Sequence, residues 1–131
     1  MNIIARAEPR YFLELMESDV SLIHEVVLKR AFRAPGKFTR TVELTGTWLQ
    51  RLELRKDYRE VCASAGHDVQ TSKSVMATHS ELEKVLDALS HPGPMCLEKS
   101  VRLSAIWDLC QTMMDTASRQ FRQIEMSMRG D

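Results

Sequence analysis

Cys96 falls five residues after His91, just ahead of a strongly helical run. A helix N-terminus lowers a thiol's pKa and an imidazole can take its proton, so the pair has two parts of a nucleophile. No third group is in place to orient the histidine, and a cysteine in such a setting is more often a small filler or a half-exposed cap. His79 and Glu83 stand one helical turn apart and can share a face. Cys62, His67 and Asp68 are near one another in sequence. A metal ion needs a fuller ligand set, and no HxxxH, HExxH or paired CxxC accompanies them, so no metal site is expected. His79 lies on an apolar stripe and reads as a buried histidine hydrogen-bonded across the fold, a mild pH-sensitive element. No Gly-rich phosphate loop, GxSxG elbow or dinucleotide fingerprint occurs. The sequence predicts neither an enzyme nor a cofactor.

Binding chemistry is better represented. Lys29, Arg30, Arg33, Lys37 and Arg40 place five positive charges in a stretch with no acid between Glu25 and Glu43, and Phe32 and Phe38 are interleaved. Such a patch can grip phosphates, with the rings available for stacking, or dock an acidic protein surface. A helix C-terminus followed by a solvated loop, the phenylalanines packed inward, accounts for the same residues, and base rates favour it. The stretch is still the best interaction surface in the chain.

Residues 58–76 offer a second binding reading. Val61, Ala65, Gly66, Gln70, Thr71 and Val75 follow the order of a helix-turn-helix, with Cys62 at the small-residue position. A helix starting near Val69 would bring Gln70, Thr71 and Lys73 to base edges or phosphates of DNA. His67 and Ser72 occupy positions that such motifs keep apolar, and an ordinary helix ended by a glycine explains the stretch more simply.

The elements that must carry these residues are read from periodicity. Punctuation at Ala34-Pro35-Gly36, Gly46, Gly66-His67-Asp68 and His91-Pro92-Gly93-Pro94 divides the chain into four segments. In the last, Leu103, Trp107, Cys110, Met114, Ala117, Phe121, Ile124 and Met128 alternate in steps of four and three. That heptad pattern predicts a helix about 45 Å long, more than a domain of this size covers by itself. Met113, Met114, Phe121, Ile124 and Met128 are therefore expected to meet a second copy of the chain, the flexible thioethers suiting an adaptable contact. Val75, His79, Leu82, Leu86 and Leu89 repeat the device, with Ser72, Ser74, Thr78 and Ser80 competing to start that helix and Ser80 with Glu83 forming a capping-box pattern.

In the first segment Phe12, Met16, Val20, Ile23, Val27 and Ala31 line one side and Tyr11, Leu15, Leu22 and Val26 the next, a wide stripe that predicts a central helix. The second segment is less consistent. Phe38, Arg40, Val42 and Leu44 alternate with Thr39, Thr41, Glu43 and Thr45, so 38–45 reads as extended or weakly helical. Thr47 and Gln50 make another capping box, and a helix is expected from about Trp48 to Ala65. A strand at 38–45 would find its partner only in residues 2–6.

Composition frames these readings. The chain has 131 residues, with eighteen basic and eighteen acidic side chains, so no global field draws it to nucleic acid or anionic lipid. Eight methionines, five glycines and 6% aromatics lean helical. Three cysteines without a CxxC disfavour a disulfide framework and point to a reducing cytosol. No apolar run approaches the roughly 20 residues of a membrane span, and Met1–Pro9 lacks the apolar core of a secretory signal. The expectation is a single domain over 1–131: an all-α, four-segment antiparallel bundle with a long C-terminal helix. Its expected role is that of a cytoplasmic regulatory or adaptor protein that binds itself, as a homodimer, and another protein. A DNA-binding regulator and an inhibitor masking a partner's surface are the alternatives.

Overall fold

The computed structural model describes residues 8–66 and 74–128, and over 55–63 and 121–128 it describes the backbone alone. Among the described residues, two strands and four helices follow in the order β1 (Arg10–Glu14), α1 (Glu17–Arg33), α2 (Thr39–Ser64), β2 (Ser74–Thr78), α3 (His79–Leu89) and α4 (Leu97–Met128). The chain is mostly helical, but the antiparallel pairing of β1 with β2 makes it mixed α/β. This corrects the expectation of an all-α bundle.

The physical reason lies in residues that fit two periods at once. Tyr11, Leu13 and Leu15 are buried while Arg10, Phe12 and Glu14 are exposed, the alternation of a half-buried strand. The helical reading joined Phe12 to Met16, yet these are 64% and 65% exposed and belong to no core stripe. In β2, Val75 and Ala77 face inward, and the register sets Tyr11 opposite Ala77 and Leu13 opposite Val75. Thr78 then closes the strand and opens α3. Its hydroxyl accepts the Glu81 N–H, and the Glu81 carboxylate accepts the Thr78 N–H at 2.9 Å. The capping box is therefore Thr78–Glu81 rather than Ser80–Glu83.

Of the two readings of residues 38–45, extended or weakly helical, the structure has the helical one. They are neither extended nor paired: Phe38 is fully buried and α2 starts at Thr39. Thr41, Thr45, Trp48 and Leu52 are the buried positions among its described side chains, spaced four, three and four apart. The β-branched threonines suit a helix here because their hydroxyls bond back to the preceding turn. Thr45 donates to the Thr41 carbonyl at 3.1 Å and Thr47 to the Glu43 carbonyl at 2.8 Å. Thr47 is thus an interior residue, not a cap.

α1 is central, touching α2, α3 and α4. Val20, Leu22, Ile23, Val26 and Val27 are its buried positions. One hydrophobic cluster takes residues from every element, Leu13 and Val75 from the sheet, Trp48 from α2, Leu82 and Val85 from α3, and Leu103, Ile106, Cys110 and Met114 from α4. Each aliphatic side chain fully buried in it contributes roughly 1.5–3 kcal/mol relative to exposure. α4 is one continuous helix of 32 residues, about 48 Å at 1.5 Å per residue. Two polar anchors fix it to α1: Arg102 reaches Asp19 at 2.8 Å, and Lys99 reaches Glu25 at 3.3 Å.

Candidate partner-binding surface

The five cations of the basic stretch part company in space. Lys29 lies within its helix's own ion pair, 3.6 Å from Glu25. Glu25 also meets Lys99, whose hydrogen bond is the main cause holding its carboxyl below the usual range. Arg30 is half-buried, with its guanidinium carbon 5.4 Å from the Phe38 ring centre and its Nε buried without a hydrogen-bond partner. Lys37 stands 5.3 Å from the same ring centre and 3.6 Å from Asp87 of α3. Phe38 is thus a buried ring attended by two cations, which fastens the α1–α2 turn. Arg33 lies against the loop before α4, where a Cβ on Gly93 would meet its guanidinium nitrogens at 3.4 Å. Neither Arg33 nor Arg40 has a side-chain hydrogen bond, ion pair or ring contact among the described residues. Of the interleaved rings, Phe38 packs inward as expected, whereas Phe32 is 87% exposed.

What the stretch leaves is one open cleft of about 650 Å³ between the start of α2 and the start of α3. Lys37, Arg40 and Glu43 line one side, and Ser80, Glu81 and Lys84 the other. Lys84 was not legible as a site residue in the sequence, because only the fold brings α3 beside α2. Like Arg40, it is exposed and without a partner among the described residues.

The remaining sequence candidates fall as follows. Gln70, Thr71 and Lys73 lie outside the described residues, as do His67 and Asp68, and Cys62 is described by its backbone alone. Val75, which the helix-turn-helix reading assigns to a DNA-reading helix, is in strand β2. On α4, Met114 is buried in its own chain's core and Met113 packs partly against it. Phe121, Ile124 and Met128 fall where only the helical backbone is described. Among the described side chains of α4, the exposed large apolar residues are Leu97, Val101 and Leu109. Cys96 is exposed, and its carbonyl accepts the Ser100 N–H at 3.0 Å, the position of a helix cap. His91 bonds Ser90 instead, at 2.9 Å. Cys110 is buried, which pushes its thiol up to about 11.

His79 does bond across the fold. Its Nδ1 is 2.9 Å from the Tyr11 hydroxyl and its Nε2 3.0 Å from Glu83. With Nε2–H given to the carboxylate, Nδ1 accepts from the tyrosine. Burial first, and the Glu83 charge second, raise the Tyr11 phenol above its ordinary value, so this hydroxyl keeps its proton. A second histidine was missed in the sequence. His24 Nδ1 is 2.7 Å from Thr45 Oγ1, and since that hydroxyl donates to the Thr41 carbonyl, the imidazole is the donor. Burial lowers the pKa of His24. No group of three or more His, Cys, Asp or Glu among the described residues could hold a metal ion, and no described helix is long and apolar enough to cross a membrane. Comparison with protein-family models, curated proteins and solved structures gives no match for this chain.

Proposed function

We propose that the protein is a small cytosolic regulatory or adaptor protein that works through protein–protein contacts, and that two copies associate through the distal half of α4. The observation that carries this reading is the length of α4 together with the heptad pattern of its sequence. The helix runs 32 residues, and its buried positions among the described side chains, Leu103, Ile106, Cys110 and Met114, all lie in its first 18 residues. Residues 118–120 are exposed, and the apolar steps of four and three in the sequence continue past them. A helix with an apolar seam of this length gains from a second chain.

Light scattering at micromolar concentration tests the association directly. A mass twice that of the 15.0 kDa chain is expected, falling to the single mass when Phe121 and Ile124 are changed to Glu. A single mass for the unaltered chain removes the dimer. Copurification of another protein with the tagged chain tests the adaptor role.

A further inference from the structure

We infer that the cleft between the starts of α2 and α3 is a docking site for an acidic peptide segment of a partner protein, a reading that rests on the protein being a partner-binding module and names the partner's chemistry. Three observations carry it. The first is unspent charge. Of the three cations lining the cleft, Arg40 and Lys84 have no carboxylate within ion-pair distance among the described residues, and Lys37 has only the exposed Asp87 at 3.6 Å among them. The second is that one of the two lining acids is already occupied. The Glu81 carboxylate is held by the Thr78 N–H at the start of α3, which leaves Glu43 as the one acid of the lining without such a bond.

The third observation is a precedent within the chain. Glu8, preceding β1, places its carboxylate on Ser80 at the rim of the cleft, accepting the backbone N–H at 3.1 Å and the hydroxyl as well. An acidic side chain on an extended segment is therefore the kind of group this rim already receives. The cleft's volume of about 650 Å³ accommodates several side chains rather than one ion. A partner's acidic segment lying along it would pair with Arg40 and Lys84 and compete with Glu8 for Ser80. Glu43 sets a limit, disfavouring a dense polyacid over spaced carboxylates.

The test uses the full-length chain and a short fluorescein-labelled peptide of alternating Glu and Gly, followed by anisotropy at low and moderate salt. Binding that weakens with salt is expected, and the Arg40→Glu/Lys84→Glu double variant should bind about five- to tenfold more weakly. Both residues are exposed, so the fold survives the change; Arg40→Gln/Lys84→Gln should give an intermediate loss. Glu8→Gln should strengthen binding about twofold, a gain that a merely structural role for Glu8 would not produce. Equal binding by the double variant and the unaltered chain overturns the proposal, as does equal binding of a Gln–Gly peptide. Tighter capture of duplex DNA, abolished by the same double variant, also overturns it and gives the cleft to nucleic acid. If peptide binding fails while the chain still copurifies another protein, only the cleft assignment falls; if copurification fails too, the adaptor reading falls with it.

Discussion

The indole N–H of Trp48 donates to the main-chain carbonyl of Met76 at 3.1 Å, so the largest buried side chain of α2 is also a polar tie to strand β2. The two residues come from elements on either side of the 67–73 stretch, and the bond fixes how α2 lies beside the sheet. Trp48→Phe keeps most of the apolar volume but removes the donor. A loss of about 1–3 kcal/mol in unfolding free energy is expected, measured by urea denaturation. A variant as stable as the parent would show that the Met76 carbonyl finds another donor.

His24 gives a pH dependence whose sign is set by burial. Its folded pKa lies below the ordinary value of 6.5, so the unfolded chain takes up the proton first as pH falls. Stability from this group is complete above that value and declines as pH drops through it towards the folded value. His24→Gln should flatten this part of the stability profile. Glu25 acts in a lower window: its carboxyl is depressed by Lys99, so its contribution is present above 4.5 and is lost on further acidification. Chemical denaturation between these two windows separates the two groups.

The thiols should differ sharply in reactivity. Cys110 is buried with its thiol pushed up to about 11, whereas Cys96 is exposed at the start of α4. In a Cys62→Ser background, a disulfide reagent at neutral pH is expected to label Cys96 promptly and Cys110 only on unfolding. Prompt labelling of both would mean that α4 lifts away from the core in the native state.

Gly46 lies in the interior of α2, where a glycine weakens a helix. A Cβ added there would meet the His24 ring at 3.5 Å, ordinary van der Waals contact. Gly46→Ala is therefore expected to stabilise the protein by about 0.5–1 kcal/mol, raising the urea midpoint without changing its slope.

Much of the helical framework is legible in the residues themselves. The steps of four and three from Leu103 onward run through an unbroken α4, and Pro92-Gly93 follows the end of α3 closely. The strands are not legible in the same way, because five residues are too few to separate a period of two from a period of 3.6. Tyr11 and Leu15 satisfy both, and only the exposure of Phe12 and Met16 decides between them. At 38–45 the sequence leaves strand and helix open: alternating threonines resemble a strand, while burial of Thr41 and Thr45 one helical turn apart settles a helix. Of the cleft, Arg40 can be picked from sequence as part of a basic run. Lys84 cannot, nor can the fact that Arg30 and Lys37 attend a buried ring, since both depend on long-range packing.

The pairing of β1 with β2 encloses the whole of α1 and α2 between its strands. Pairing two short strands so far apart along the chain costs less once the helices between them have folded back, because loop closure must precede any gain from the pairing. The sheet is therefore a latch across the helical hairpin, expected to join late during folding, and a chain cut anywhere between Glu14 and Ser74 would have to reassemble it as two pieces.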